Sequence, residues 1–507
     1  MTLRTASDSM FFNYLVRSNL LNADIWVETS LLGQHIQFEN VRMGKAPSGF
    51  TGSNLALNLA LEWITDCTSK HKMCGDGSLR TLPTRVLDLC IGENCLEASI
   101  ITGEGKIARY CTLSHCWGQR GNHRLLTKAT LSSWLTAFYI GELPQTYQDV
   151  IAVTKQLVLR YLWIDSLCII QDDQEDWERE SSKMGDIYQN SYITIAATCA
   201  ADSSVGMFSH ARPIHRPRVV YQERLLSPRI LHFLREELAC ECVETKRCEC
   251  NYFPSARMSV KEKHAKSLDA SLHRKLPLHS RWHSIVEEYC ELSMTFEKDK
   301  LTAISGVARQ VQSILNESYF AGLWSSSFKE DLYWRANTKF RRPKLQKWRA
   351  PSWSWAAING RVICGSAPAV ERSADILDLV CNPSSSDMLG ELDSAWMEIS
   401  GSFCKGMLHS VGSPDSDSKT FNVRTETGHN LRSVFLDYDI SEDLPIGSLD
   451  IFLFLLYSSD EGKGQSGVLL LLRKVAAERA AYERIGITNL DVWSYFDSFP
   501  KTRIKVI

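Results

Sequence analysis

Between residues 105 and 205 the apolar positions switch between two spacings. Ala108 to His115 is a short run of strand formers that stops at Trp117-Gly118. Pro144 to Leu159 carries Tyr147, Val150, Val153 and Leu157 at helical spacing, and Pro144 suits a first-turn position. Tyr161 to Ile170 is nearly continuous apolar apart from Asp165 and Ser166, as in a strand buried on both faces. Asp172 to Tyr188 is polar with a thin stripe through Trp177, Glu180, Met184 and Ile187/Tyr188, and Tyr192 to Cys199 reads as a further strand. Strand, helix, strand, helix, strand with short connections predicts an α/β core: a parallel sheet with helices on its faces.

Outside this stretch the pattern is looser. Leu55 to Ile64 predicts a helix ending near Cys67, with Ser53 or Asn54 as its cap, and Pro83 to Ile91 predicts a short strand. Residues 206–280 read as irregular, basic and cysteine-bearing, and helical spacing returns at Trp282 to Tyr289 and Lys300 to Leu315. Beyond 350, short strand-like runs are split by Gly, Pro, Ser and Asp. One predicted hairpin joins Asp450–Tyr457 to Val468–Lys474 through a loop at 460–467. The expected organisation is an N-terminal segment with a Cys/His cluster (1–104), the α/β core (105–210), an irregular and helical extension (211–349) and a β-rich region (350–507).

The 507 residues are 44% hydrophobic and 23% charged, which fits a folded globular chain rather than a disordered one. Lys+Arg 57 against Asp+Glu 59 leaves a net charge of −2, so a chain-wide nucleic-acid footprint is not indicated. The longest apolar runs, Ile451 to Tyr457 and Val468 to Leu472, fall short of the ~20 residues of a spanning helix. Met1 to Asn19 lacks an apolar segment followed by a small-residue cleavage site. A cytoplasmic protein with reduced thiols is therefore expected.

Ligands of open parallel sheets bind beyond the strand carboxyl ends. Those ends present His115, Trp117 and Asp165, with Gln171 just beyond. Asp165 is thus a candidate reacting carboxylate, with a turn cap as its equal alternative. His115, Trp117 and Gln171 are candidate ligand-binding residues. Glu180 shares a helical face with Trp177 and Met184, so packing on the sheet would desolvate it, as acid or base chemistry often requires. Its alternative is a carboxylate paired with a nearby Arg. No GxGxxG or GxxxxGK[ST] motif occurs. Cys67-x3-His71-x2-Cys74 offers three zinc ligands that need a fourth from elsewhere, and Cys240-x-Cys242-x5-Cys248-x-Cys250 offers four more thiols. A structural zinc and loose thiols both stay open.

Taken together, Tyr110-Cys-Thr-Leu-Ser-His-Cys-Trp-Gly118, Leu143-Pro-Gln-Thr-Tyr-Gln-Asp149, Arg160-Tyr-Leu-Trp-Ile-Asp-Ser-Leu-Cys-Ile-Ile-Gln-Asp-Asp173, Trp177, Glu180, Met184 and Ala201-Asp-Ser-Ser-Val-Gly206 closely resemble the fungal heterokaryon-incompatibility (HET) domain family. Cys67…His71…Cys74 with Pro83-Thr-Arg-Val-Leu-Asp88 looks like the segment before that domain. Gln222-Glu-Arg-Leu-Leu-Ser-Pro-Arg229, Asp299-Lys-Leu301, Ala321-Gly-Leu-Trp324, Ala350-Pro-Ser-Trp-Ser-Trp355 and Tyr482-Glu-Arg-Ile-Gly486 look like the segments after it. The resemblance implies a fungal self/non-self recognition protein that triggers regulated cell death, with a protein partner or self-association. It also implies a TIR-like, three-layer α/β core within a larger α+β chain. Because some TIR domains cleave NAD, the alternative is a small-molecule enzyme on the same fold: an NAD hydrolase, with NAD as substrate, or a fungal biosynthetic-pathway enzyme. The sequence departs from similar proteins at Arg212 to Arg218, which runs almost directly into the Gln-Glu-Arg motif and leaves one sheet edge undefined.

Overall fold

The structure, a computed structural model, describes residues 16–19, 22–25, 46–89, 96–117, 124–210, 221–251, 259–269, 278–292, 297–337, 343–365, 372–411, 420–431, 433–440, 448–461, 464–476, 480–490, 496 and 499–507. Gly118 and the basic run at 212–218 lie outside these residues. Among the described residues no helix is long and apolar enough to cross a membrane.

Helix α1 (Asn54–Lys70) starts at Ser53, whose hydroxyl accepts the Ala56 amide at 3.2 Å and so satisfies one orphan donor of the first turn. Its buried face is Ala56, Leu57, Ala60, Trp63, Ile64 and Cys67. The chain then forms β1 (Arg85–Asp88), β2 (Glu97–Thr102), β3 (Tyr110–Ser114) and β4 (Phe138–Tyr139). Next come α2 (Gln145–Gln156), β5 (Tyr161–Trp163), the one-turn α3 (Asp165–Cys168), α4 (Gln174–Ser181), α5 (Met184–Asn190) and β6 (Ile193–Ala196). After them lie α6 (Tyr221–Leu226), β7 (Arg229–Phe233), β8 (Leu238–Cys242), β9 (Lys246–Cys248) and α7 (Val260–Leu268).

The nine strands build one sheet in the order β9-β8-β7-β6-β3-β5-β1-β2-β4. Its centre, β7-β6-β3-β5, is parallel, with Thr194 opposite Ile230, Ile193 opposite Cys111 and Tyr110 opposite Tyr161. Parallel neighbours need crossovers, and α2 and the α4–α5 pair supply them on either side of β5. Leu113, Leu162, Ile193 and Ile195 are all buried, as strands covered on both faces require, and Ile164, just past β5, is buried as well.

Four expectations change. The sheet is mixed rather than parallel throughout, because β8, β9, β1, β2 and β4 pair antiparallel on its flanks. Tyr161–Ile170 is not one strand: the chain leaves the sheet after Trp163, and Asp165 Oδ1 accepts the Ser166 amide at 2.7 Å as α3 begins. The stretch 172–188 is two helices; the break places Gly185 against Gly306, where a Cβ would stand 2.9 Å from the Gly306 Cα. Finally, the described part of 206–280 is not irregular. Every residue of β7 and β8 is buried, yet Arg229, His232 and Glu241 are among them, so internal pairing hides the strands from an apolar pattern.

Helices α8 (Leu278–Cys290) and α9 (Ser305–Leu315) lead to a large β-rich sheet region in the C-terminal half. The hairpin expected there is longer than its apolar runs, with Glu461 still paired to Gly464. The long strand Leu392–Val411 pairs first with Lys501–Val506 and then with Ser448–Glu461, so that these strands, Gly464–Lys474 and Ala481–Leu490 close on themselves. One apolar cluster runs from this region into the first sheet. Buried Arg484 helps to hold it: its Nε donates to Asp437 Oδ2 at 2.9 Å, its Nη1 to the Leu332 carbonyl at 2.8 Å, and its guanidinium lies 3.7 Å from the Trp334 ring centroid.

Candidate functional site

At the carboxyl ends of β3 and β5 the polar side chains form one connected set. Trp117 donates Nε1–H to Asp165 Oδ2 at 2.9 Å, while the other carboxylate oxygen holds the Ser166 amide at 2.7 Å. His115 Nε2 lies 3.1 Å from the Tyr147 hydroxyl, which is 2.7 Å from Ser166 Oγ. Gln171 Nε2 donates to the carbonyls of Asp165, at 3.2 Å, and Ile169, at 3.0 Å. His115 is buried, whereas Asp165, Trp117 and Gln171 are half-buried. The arrangement fixes the direction of the Asp165 carboxylate without closing it off.

Glu180 has other partners. It is 2% exposed on α4, and its Oε1 accepts from Arg179 Nε at 3.2 Å and Lys183 Nζ at 3.0 Å. Lys183 also reaches Thr84 Oγ1 at 3.1 Å. One turn earlier, buried Asp176 pairs with Arg85 and Arg179 and accepts the Ile170 amide at 2.8 Å. The buried acids of α4 are thus matched by cations, the arrangement that lowers the cost of burying carboxylates.

The residue that sequence patterning missed is Glu223 on α6. It is buried, and its Oε2 has no hydrogen-bond partner among the described residues. Burial pushes its carboxyl up to about 8; the charge of Asp165 adds to that, and the Ser114 and Tyr188 hydroxyls partly offset it. A protonated carboxyl therefore stands behind the strand ends near neutral pH. The signal was the Gln222-Glu-Arg224 triplet in an otherwise apolar helix. Successive helical residues point about 100° apart, so the three serve three elements. Gln222 Oε1 accepts the Gly306 amide at 2.9 Å, Glu223 faces the sheet, and Arg224 Nε donates to Glu241 Oε2 at 2.8 Å.

The Leu143–Asp149 segment acts as a brace. Asp149 Oδ2 accepts the Met207 amide at 2.8 Å, and Thr146 N donates to the Ser203 carbonyl at 3.0 Å. Gly206 has a φ of +82°, and a Cβ there would meet Asp149 Oδ2 at 2.9 Å, so the brace requires glycine.

The cysteine-rich segments divide between two places. Cys67, His71 and Cys74 converge with Cys242, and their ligand atoms all lie within 4.8 Å of one another. Cys248 and Cys250 lie instead with Glu237. A separate open cavity of about 440 Å³ is lined by Phe328, Lys329, Glu330, Leu379 and Tyr457, none of them from the set around Asp165.

Residues 110–272, about a third of the chain, match the family model described as heterokaryon incompatibility protein (HET). The match begins at the first residue of β3 and extends past β9 and α7. No curated protein and no solved structure matches the chain.

Proposed function

From a chain that carries a heterokaryon-incompatibility domain over residues 110–272, we propose an effector of fungal self/non-self recognition that acts in the cytoplasm and triggers regulated cell death. The carrying observation is the HET match itself, which falls on the central strands of the sheet and on the set around Asp165. A protein partner or self-association would supply the recognition step. Induced expression of the full chain in a fungal host, with viability counted, tests this: the effector reading expects death on induction, and undiminished viability contradicts it.

One observation favours a second reading, a small-molecule enzyme. Asp165 is a half-buried carboxylate held in a fixed direction, and Glu223 is a buried carboxyl kept protonated close enough to feel its charge. Neighbouring carboxyl groups with different protonation are how one site supplies a base and an acid. In this reading Asp165 reacts with the substrate, while His115, Trp117 and Gln171 line the ligand. Glu180 enters as a second carboxylate that would have to exchange Arg179 and Lys183 for substrate. The parallel centre of the sheet, flanked by crossover helices, supports a TIR-like core; NAD enters as the substrate class only through that likeness, with a biosynthetic substrate as the other option. Measuring NAD in the same induced cells separates the readings: NAD loss before death supports the enzyme, and death at constant NAD removes NAD as its substrate.

A further inference from the structure

We propose that Cys67, His71, Cys74 and Cys242 bind one zinc ion in a closed structural site that ties the segment before the HET domain to β8 of the sheet. Cys67 lies in the last turn of α1, and His71 is the cap of that helix, its amide donating to the Cys67 carbonyl at 3.2 Å. Cys74 follows on the next loop, and Cys242 is the last residue of β8. The pairwise geometry fits one ion. His71 Nδ1 is 3.3 Å from Cys242 Sγ and 3.7 Å from Cys74 Sγ. A tetrahedron with zinc–sulfur bonds of about 2.3 Å and zinc–nitrogen bonds of about 2.0–2.1 Å has sulfur–nitrogen edges of about 3.6 Å.

The donor set selects the metal class. Three thiolates and an imidazole suit zinc, whereas calcium and magnesium take oxygen ligands. Four protein donors leave no open position, and all three thiols are buried, so the site is structural rather than catalytic. The surroundings hold the donors in place. The Thr245 amide donates to Cys242 Sγ at 3.3 Å, a bond that favours the thiolate form. Arg229 Nη2 donates to the Cys74 carbonyl at 2.9 Å, and the Met73 amide donates to Glu244 Oε1 at 2.6 Å. Arg247 Nη1 meets Asp66 Oδ2 at 2.8 Å, pinning β9 to α1 beside the site. Zinc binding releases the thiol protons to solvent and joins two segments that are distant in sequence. The nearby set of Glu237, Cys248 and Cys250 offers three donors and serves as the internal control.

The test is metal analysis and zinc-edge X-ray absorption on the full chain expressed in zinc-supplemented medium. The expected result is about one zinc per chain, with three sulfur ligands and one nitrogen ligand. Cys242→Ser should lose the metal, and Cys250→Ser should keep it. Should Cys242→Ser fail to fold, Cys242→His decides: it retains four donors and should keep the zinc with two sulfurs and two nitrogens. A full chain purified without stoichiometric zinc, or with iron or copper in its place, overturns the proposal. So does a disulfide among Cys67, Cys74 and Cys242 by intact mass, or zinc that is lost from Cys250→Ser but retained by Cys242→Ser.

Discussion

Trp117 donates its indole N–H to the Asp165 carboxylate at 2.9 Å, and the bond bridges the carboxyl ends of two adjacent parallel strands, β3 and β5. It orients Asp165 while leaving it half-buried. Trp117→Phe keeps an aromatic ring but removes the donor. Because the acceptor is charged yet partly solvated, the expected loss is about 1 kcal/mol. Urea unfolding should show a lower midpoint at unchanged slope. An unchanged midpoint would mean that the bond does not hold the two strand ends together.

Glu223 predicts a pH dependence with a definite sign. Its folded pKa, raised by burial to about 8, lies above its unfolded value of about 4.3. Between those values the native state holds a proton that the unfolded chain has released. Its contribution is therefore fully present below the unfolded pKa and is lost as pH rises through 8. Burial shifts His264 the other way, down to about 4, so its loss falls on the acid side, below about 6.5. Lys261, lowered by burial to about 8, acts mainly above that pH. From about pH 6.5 to 8 the chain should lose stability to urea, and Glu223→Gln should abolish most of that slope. An equal slope in the variant would assign the dependence to another group.

The centre of the first sheet was legible because it obeys simple rules. Leu113, Ile193 and Ile195 sit in short apolar runs, and Ser53 stands where a cap belongs. The polar positions interrupting those runs, His115 and Asp165, are the ones the structure connects through Tyr147 and Ser166. What stayed hidden had one of two causes. Strands β7 and β8 are buried but carry Arg229, His232 and Glu241, which break any apolar pattern; Arg229 donates to the Cys74 carbonyl and Glu241 accepts from Arg224. Other features depend on contacts between distant segments: Cys242 joins Cys74 and His71 from far along the chain, and Gly185 meets Gly306. Local spacing carries no information about such meetings. Glu180 could be read only as buried; whether it was paired depended on Lys183 and Arg179 turning back onto it.

Arg484 and Asp437 form a fully buried pair in the C-terminal half. Burial raises the Asp437 carboxyl, and Arg484 counters that shift. Arg484→Met should leave an uncompensated buried carboxylate and cost about 3–5 kcal/mol, whereas adding Asp437→Leu should recover much of the loss. Thermal unfolding of the single and double variants checks this; a double variant no better than the single would locate the cost in the lost stacking on Trp334 and the lost bonds to the Leu332 and Trp334 carbonyls.

Leu162 and Ile193 lie on the parallel strands β5 and β6, on either side of β3, with no exposed surface. Leu162→Ala and Ile193→Ala should each cost about 2–5 kcal/mol, and their effects should be additive to within about 0.5 kcal/mol if the sites do not share a cavity. Denaturation of the two single variants and the double variant measures both quantities. A loss below about 1 kcal/mol in either would contradict close packing at the sheet centre.

The most direct measurement follows viability and NAD together after induced expression of the wild-type chain, Asp165→Asn and Glu180→Gln, with folded protein verified by thermal unfolding. The account predicts that wild type kills. It predicts that Asp165→Asn remains folded and loses lethality, because the change removes the carboxylate at the centre of the connected set. Glu180→Gln should instead lower stability, because it unpairs Arg179 and Lys183, and any loss of killing should follow the loss of folded protein. Full lethality from a stably folded Asp165→Asn chain, or no death from the wild type, would contradict it.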